Sequence, residues 1–105
     1  MATVYEKSVA YLTVSFYDKT NALAAPSSAT WEVHDVGSGN ILQAVTPIAP
    51  IASSVELTLT STINTLVNQA NQEETRKVTI KATFGIGLEC NAEYDYDVLS
   101  LDYVP

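Results

Sequence analysis

Residues 75–98 read TRKVTIKATFGIGLECNAEYDYDV and predict a long β-hairpin. Polar and apolar side chains alternate on both sides of a glycine-containing turn at residues 85–87. A period of two with one apolar face is typical of strands that are half-buried in a sheet. We expect the apolar face to form the wall against which Trp31 packs. That predicted inner face consists of Val78, Ile80, Ala82, Phe84, Cys90, Ala92, Tyr94, Tyr96 and Val98.

The outer face of the second arm is acidic, with Glu93, Asp95 and Asp97 at alternate positions. Calcium sites need carboxylates that converge on a flexible loop, whereas same-face groups on a strand lie about 7 Å apart. The predicted turn would place Lys77 opposite Asp95 and Thr79 opposite Glu93, and cross-strand charge pairs stabilise a sheet. We therefore expect a solvated, paired sheet surface and no dedicated metal site, with weak metal binding as the alternative.

The rest of the chain also favours strands. Residues 61–68 break the period of two, because Ile63, Leu66 and Val67 have the spacing of one helix face. They predict one short helical segment of one or two turns, with a buried irregular loop as the alternative. Elsewhere, period-two alternation predicts strands at residues 8–17, 29–34, 41–46 and 54–60.

Two positions within these strands carry more specific expectations. Trp31 lies on the inward side of its strand and is predicted to occupy the centre of the core. Near the C-terminus, Val98 and Leu99 are consecutive apolar residues, so the alternation changes parity. Such a slip predicts a β-bulge near residues 97–99, or a strand that passes from one sheet to another.

Length and composition favour one folded domain. The chain has 105 residues, which is enough for a single hydrophobic core. Hydrophobic residues make up 47% of it and charged residues only 16%, which argues against disorder. We expect residues 1–7 to form a flexible N-terminal arm and residues 8–105 to form one domain.

The formal net charge of −7 limits the partners. An acidic surface repels phosphate groups, so we expect neither nucleic acid nor an anionic membrane as a partner. Docking onto a basic protein surface stays open. The N-terminus lacks the pattern of a signal peptide, and no apolar segment approaches the roughly 20 residues of a membrane span. We expect a protein that is made and kept in the cytoplasm, or released from it by lysis.

The residues that usually carry chemistry are scarce, since the chain has one cysteine, Cys90, and one histidine, His34. An internal disulfide is therefore excluded, and neither a zinc site nor a thiol catalyst is indicated. We expect Cys90 to be a small core residue that reacts slowly with thiol reagents, and His34 to face solvent. Glycine turns at residues 37–39 and 85–87 lack the lysine and the helix of a phosphate-binding loop. We expect no catalytic residue, no cofactor and no enzymatic activity.

Strands and turns follow one another in an order that resembles a known family. The stretches concerned are LTVSFYD at 12–18, PSSATWEVHD at 26–35, VELTL at 55–59, INTLVN at 63–68, ETRKVTIKATFG at 74–85 and YDYDV at 94–98. Together they resemble the small immunoglobulin-like structural proteins of tailed bacteriophage virions, over most of the chain. The resemblance implies an immunoglobulin-like antiparallel β-sandwich of about seven strands. The cysteine pair of antibody-type domains is absent, and the resemblance supplies no site residues.

Such phage proteins are structural, and some decorate or cement the capsid while others belong to the neck or tail. The resemblance implies a non-enzymatic virion protein, assembled in the host cytoplasm, that decorates or stabilises the capsid. Its partners would be the major capsid protein, other virion proteins or further copies of itself. A neck or tail component is one alternative, and an adhesion or glycan-binding module is another. Candidate contact residues are Tyr5, Tyr11, Tyr17 and Tyr103.

Overall fold

A computed structural model describes residues 2–68, 70–85 and 88–101, and these residues form seven β-strands. The predicted all-β class is confirmed. No described residue lies in a helix, and so none of this part of the chain forms a helix long and apolar enough to cross a membrane. In chain order the strands are β1 Ala2–Tyr5, β2 Ala10–Ser15, β3 Ser28–Asp35, β4 Ile41–Pro47, β5 Ser54–Leu59, β6 Glu73–Thr83 and β7 Glu89–Leu99.

The strands form two sheets that share one core. The larger sheet has five strands in the order β1-β7-β6-β3-β4, and the smaller sheet pairs β2 with β5. β1 runs parallel to β7, whereas the other described pairs are antiparallel. The larger sheet is therefore mixed, and the purely antiparallel arrangement expected from the sequence is wrong at this one edge.

The N-terminal residues expected to form a flexible arm instead supply an edge strand. In β1, Ala2 pairs with Tyr96 and each following residue pairs with the next residue of β7, as far as Leu99. The backbone N–H of Glu6 then donates to the carbonyl of Leu99 at 2.8 Å. This pairing joins the two ends of the chain, so it could not be predicted from a local sequence pattern.

The hairpin pairs in the predicted register. Lys77 lies opposite Asp95 and Thr79 lies opposite Glu93, as expected from the turn. Ile86 and Gly87 of that turn lie outside the described residues. A hairpin with one buried face tolerates no slip, because a shift by one residue would turn every apolar side chain outward.

The bulge predicted near residues 97–99 is wrong. Pairing between β6 and β7 continues without a shift to Leu99, which lies opposite Glu73. On its other side Leu99 pairs with Tyr5 of β1, so an apolar residue at this outward position has an apolar neighbour. Register shifts occur instead between β3 and β4, on either side of Val33.

The core lies between the two sheets. Val33, Val78 and Val98 are completely buried. Trp31, predicted at the centre, is only partly buried and packs against the edge of this cluster, because its neighbour β4 is the outermost strand and shifts register beside it. The buried apolar residues are Phe16, Ala29, Val33, Leu57, Leu59, Ile63, Leu66, Val78, Ile80, Ala82, Tyr96 and Val98.

Residues 61–68 form turns rather than the short helical segment favoured by the sequence. Ile63 and Leu66 are buried as their spacing predicted, whereas Val67 is exposed. The N–H of Asn64 donates to the Thr60 carbonyl at 3.2 Å. The short helical segment is therefore not confirmed, and the described residues form a turn with a buried middle and exposed ends.

The two halves of β7 differ in burial, although the alternation of side chains is the same in both. Cys90, Ala92 and Tyr94 are exposed, whereas Tyr96 and Val98 are buried. The expectation that Cys90 is a core residue is therefore wrong. A two-stranded sheet is too narrow to cover five strands, and the first half of β7 lies at the edge that is left uncovered.

Candidate docking surfaces and a buried polar network

Two of the predicted contact residues are exposed along β2 and the segment that follows it. Tyr11 points away from the core because its neighbours Ala10 and Leu12 pack inward, and 62% of its surface is exposed. Tyr17 follows the buried Phe16, has the same parity as Tyr11, and is 53% exposed. Both side chains therefore lie on the outer side of the smaller sheet.

Most neighbours of these tyrosines in β2 and β5 are uncharged, while Asp18 and Lys19 lie in the turn after Tyr17. Leu23 forms an isolated bridge with Tyr17 and is 57% exposed, and Thr58 pairs with Tyr11. Among the outward-facing residues of β2 and β5, which the structure describes in full, Glu56 is the only charged one. The name tyrosine face is used here for the surface formed by Tyr11, Thr13, Tyr17, Leu23 and Thr58.

The loop between Tyr17 and Leu23 is held by one carboxylate. Asp18 Oδ1 accepts hydrogen bonds from the hydroxyl of Thr20 at 2.6 Å, from the Thr20 N–H at 2.8 Å and from the Ala22 N–H at 3.2 Å. These bonds hold the pKa of Asp18 below its usual value, the Thr20 hydroxyl contributing most. An aspartate that bonds to the backbone two residues later is a common way to close such a turn.

The other predicted contact residues do not join this surface. Tyr5 is exposed, but it pairs with Leu99 on the outer face of the larger sheet, which is the opposite side of the molecule. Tyr103 lies outside the described residues. The structure therefore brings together Tyr11 and Tyr17 and separates them from Tyr5.

The acidic outer face of the hairpin is explained by cross-strand pairing. Lys77 Nζ lies 3.6 Å from a carboxylate oxygen of Glu93 and 3.8 Å from one of Asp95. The hydroxyl of Thr75 donates to Asp97 at 2.9 Å. Exposed pairs of this kind contribute about 0.2–1 kcal/mol each. Among the described residues, no group of three or more His, Cys, Asp or Glu side chains is arranged to hold a metal ion.

His34 lies on the outer face of β3, with Nε2 4.0 Å from a carboxylate oxygen of Glu32. Its ring is about one third exposed, at 33% of the side chain. It pairs with Lys77 in β6 and with Ile41 in β4. These neighbours are strand residues of the sheet surface, and they give His34 the environment of a surface side chain.

A buried arginine that sequence reasoning missed forms the centre of a buried polar network. Arg76 is completely buried in β6. Its Nη1 lies 2.7 Å from Asp35 Oδ1 and 2.9 Å from Glu74 Oε1. Nη2 donates to the carbonyl of Thr65 at 2.9 Å, and Nε donates to the carbonyl of Ile63 at 3.3 Å. Every nitrogen of the guanidinium therefore has a partner, which is what makes its burial tolerable.

The two carboxylates beside Arg76 also hold the neighbouring loops. Asp35 Oδ2 accepts a hydrogen bond from the hydroxyl of Ser38 at 2.6 Å and another from the Ser38 N–H at 2.9 Å. Glu74 accepts from the N–H groups of Val67 and Asn68 at 2.8 and 2.9 Å, and from the side chain of Asn71 at 2.8 Å. Asp35, the last residue of β3, thus fixes the β3–β4 turn, and Glu74 of β6 fixes the loop after β5. Arg76 joins the two carboxylates.

Hydrogen bonding outweighs burial in setting the pKa of Glu74. Burial alone would raise this pKa, because it penalises the charged carboxylate. Bonds from Asn68, Val67, Asn71 and Arg76 favour the charged form, and together they leave the pKa below its ordinary value. Glu74 is therefore held as a carboxylate within the network.

A second buried pair continues the network towards the smaller sheet. The hydroxyl of Tyr96 donates to Asn64 Oδ1 at 2.7 Å, and the amide of Asn64 donates to the carbonyls of Ser8 at 2.7 Å and Leu59 at 3.3 Å. Burial raises the pKa of Tyr96 to about 12, against the opposing influence of the Arg76 charge. Asn64 thus joins β7 to the segment before β2 and to the end of β5.

The parity of residues along β6 is the sequence feature from which this network could have been predicted. Glu74 and Arg76 have the same parity in β6 as Val78 and Ile80, which are buried. Continuing the inward face of the hairpin towards its base would have placed both charged side chains inside. Charged residues are almost never fully buried unless they are paired, so this placement would also have predicted partners.

A comparison with protein-family models, with curated proteins and with solved structures finds no match to this chain. Its function has to be argued from its surfaces.

Proposed function

We propose that this chain is a non-enzymatic structural protein of a bacteriophage virion, and specifically one that decorates and stabilises the capsid through protein–protein contacts. The observation that carries this proposal is the tyrosine face. Tyr11, Tyr17 and Leu23 are each more than half exposed there, and Glu56 is the only charged residue among the outward-facing residues of β2 and β5. Exposed Tyr on a rigid sheet is typical of a surface that becomes buried in an assembly.

The proposed fold is an immunoglobulin-like β-sandwich, and the strand order supports it. In that fold strands C, F and G share one sheet while B and E share the other, and variable-type domains add a strand next to C. Equating β2, β3, β5, β6 and β7 with B, C, E, F and G reproduces this division, with β4 beside C. The parallel β1 then lies beside G. The buried network around Arg76 joins β6 to β3 and to the loop after β5, in a chain that has a single cysteine.

Docking would stabilise the capsid by mass action. A protein that binds only the assembled shell lowers the free energy of that state by about 2.7 kcal/mol when its free concentration is about 100-fold above Kd. The tyrosines lose little conformational entropy on binding, because β2 and the Asp18 turn already fix their backbone. The major capsid protein, another virion protein or a sister copy could each supply the opposing surface.

The experiment that tests the proposal is to search for the protein in purified particles of the virus that encodes it. Mass spectrometry should detect it in intact virions, and a reconstruction should show its density on the outside of the head. Its absence from virions would contradict the proposal. Density at the neck or tail would replace the capsid assignment by the first alternative. Specific binding on a glycan array, together with absence from virions, would favour an adhesion module.

Point variants test whether the tyrosine face is the docking surface. Replacing Tyr11 and Tyr17 by serine should weaken binding to particles by about 2 kcal/mol or more, which is the range of interface hot spots. Tyr5→Ser is the matched control, because Tyr5 is exposed to a similar extent on the other sheet. A larger loss with Tyr5→Ser than with the double variant would show that the wrong face has been assigned.

A further inference from the structure

The outer edge of β7 is only partly paired. β1 lies alongside it from Tyr96 to Leu99. Among the described residues, no strand pairs with residues 89–95 on that side, although β6 pairs with them on the other. An unpaired edge presents a row of backbone donors and acceptors to any extended segment of suitable chemistry.

The hydrogen bonds around the hairpin show which backbone groups face this edge. The N–H of Phe84 donates to the carbonyl of Leu88 at 3.1 Å. The even-numbered residues from Leu88 onwards along β7 therefore direct their backbone N–H and C=O groups towards β6. The carbonyl of Leu99 accepts from Glu6 on the opposite side, at 2.8 Å. Because these directions alternate along an antiparallel strand, Glu89, Asn91 and Glu93 direct their N–H and C=O groups outward.

The inward side of the same edge is apolar and has room beside it. Cys90, Ala92 and Tyr94 are exposed on that side. Of these three, Tyr94 lines a cavity of about 230 Å³ between the two sheets. The other lining residues include Val4, Tyr11, Leu12, Leu59 and Tyr96. An added strand would point every second side chain towards Ala92, Tyr94 and this cavity.

The outward side of the edge requires the opposite chemistry. Glu89, Glu93 and Asp95 alternate there, and 60% of the Glu93 side chain and 40% of the Asp95 side chain remain exposed. Lys77 is the lysine that contacts this row, and it is shared between two carboxylates. A strand next to β7 would therefore be favoured by a cation at every second position.

We propose that residues 89–95 of β7 bind an extended segment of a partner protein in which apolar residues alternate with lysine or arginine. The segment adds to the larger sheet as a sixth strand. Backbone hydrogen bonds supply affinity, while the apolar and acidic sides of the edge select the side chains. The backbone edge belongs to a different sheet from the tyrosine face, although Tyr11 also lines the cavity. The segment can bind whether or not the chain is a virion protein.

A second copy of the same edge is a poorer occupant. Antiparallel pairing of two β7 strands about Ala92 would place Glu89 of one copy opposite Asp95 of the other, and Asn91 opposite Glu93. Like charges directly opposite each other destabilise a sheet. Alternation of acidic residues along the edge thus disfavours self-pairing and favours a basic partner.

A fluorescent heptapeptide, Lys-Val-Lys-Val-Lys-Val-Lys, tests the inference directly with the full chain. It should bind at least about tenfold more tightly than Glu-Val-Glu-Val-Glu-Val-Glu and than Lys-Ser-Lys-Ser-Lys-Ser-Lys. High salt should weaken its binding. Equal binding of the basic and acidic valine peptides, or of the valine and serine peptides, would overturn the proposal. So would the absence of binding at about 1 mM peptide.

A pair of variants locates the binding on the edge. Asn91→Pro removes an outward N–H without breaking a bond to β6, and proline is tolerated at such edge positions. Asn91→Thr keeps the N–H and is the matched control. The proline variant should lose at least about tenfold in affinity for the basic peptide, while the threonine variant should bind it like the wild type.

Thermal unfolding shows whether both variants fold, and amide hydrogen exchange of the wild type gives an independent reading if Asn91→Pro does not. Peptide binding should slow the exchange of Asn91 and Glu93. Unchanged exchange at these amides, or unchanged binding by a folded Asn91→Pro variant, would contradict the location. Dimerisation of the free protein through residues 89–95 would show that a second copy occupies the edge.

Discussion

The two halves of β7 have the same alternating sequence, but their inward side chains differ in burial. In residues 95–99 the inward side chains Tyr96 and Val98 are buried, and Tyr96 donates a hydrogen bond to Asn64. In residues 89–94 the inward side chains are exposed. Among the described residues, β1 pairs only with the second half, and the loop of residues 61–68 accepts the hydrogen bond from Tyr96 of that half. Alternation therefore determines which side of a strand could be buried, and neighbouring elements determine whether it is.

The largest effect is expected from removing the charge at the centre of the covered half. Arg76→Ala leaves Asp35 and Glu74 buried without their counter-ion. It should lower the free energy of unfolding by about 3–5 kcal/mol, the usual cost of breaking a buried ion pair. Urea unfolding measures this change. Lys77→Ala, one residue away on the exposed face, is the control and should cost less than about 1 kcal/mol. Similar losses in both variants would contradict the burial of Arg76.

A smaller loss is expected from Tyr96→Phe, which leaves Asn64 Oδ1 without the hydroxyl of Tyr96. This change should cost about 1–3 kcal/mol, because a buried acceptor loses its donor. Tyr94→Phe, in the uncovered half, should stay within about 0.5 kcal/mol of the wild type. Thermal or urea unfolding distinguishes the two, and an equal effect at both positions would remove the contrast between the halves.

Tyr96 also predicts how the stability of the protein changes at alkaline pH. Burial raises the pKa of Tyr96 from 10.0 to about 12, so the folded state favours the neutral phenol. The resulting stabilisation is complete below pH 10 and is lost as the pH rises towards about 12. Unfolding measured across this range should show a smaller alkaline loss for Tyr96→Phe than for the wild type. An identical pH dependence would contradict the burial of the hydroxyl.

An acid-side effect, smaller than that of Arg76→Ala, is expected from Glu74. Its hydrogen bonds lower its pKa in the folded state, so they stabilise the protein above the ordinary value of 4.5. That contribution is lost as the pH falls from 4.5 through the lowered pKa. The stability difference between wild type and Glu74→Gln should therefore shrink on acidification, in urea unfolding at a series of pH values. Glu93→Gln is the exposed control, and a difference that grew at low pH would contradict this assignment.

The smallest energetic effect is expected at Cys90, whose exposure makes it accessible. Cys90→Ser should change the free energy of unfolding by less than about 0.5 kcal/mol. The native thiol should react with a thiol reagent as fast as in the unfolded chain. Val98→Cys in the Cys90→Ser background is the matched control, and it should react only on unfolding. Slow reaction of native Cys90 would mean that the first half of β7 is covered.

Local features of the fold could be predicted, and those that depend on distant neighbours could not. The register of Lys77 with Asp95 follows from a turn of a few residues, which the sequence displays. The exposure of Cys90 depends on how far another sheet extends, and the pairing of β1 with β7 joins opposite ends of the chain. Neither the exposure of Cys90 nor the pairing of β1 with β7 is encoded in a local sequence pattern.

The candidate sites divide in the same way. The outward parity of Tyr11 could be read from alternation in β2, while the separation of Tyr5 from it required the topology of both sheets. Arg76 was missed because the inward parity of the hairpin was followed only through its apolar residues. A charged residue at an inward position is a prediction of a buried network, provided that partners are sought for it.

Residue-resolved amide hydrogen exchange along β7 tests the contrast between its two halves most directly. Asn91, Glu93, Asp97 and Leu99 all direct their backbone groups away from β6, but only the last two face β1. We expect Asn91 and Glu93 to exchange at least about 100-fold faster than Asp97 and Leu99 in the free protein. Equal protection at all four amides would contradict an open edge beside a closed one.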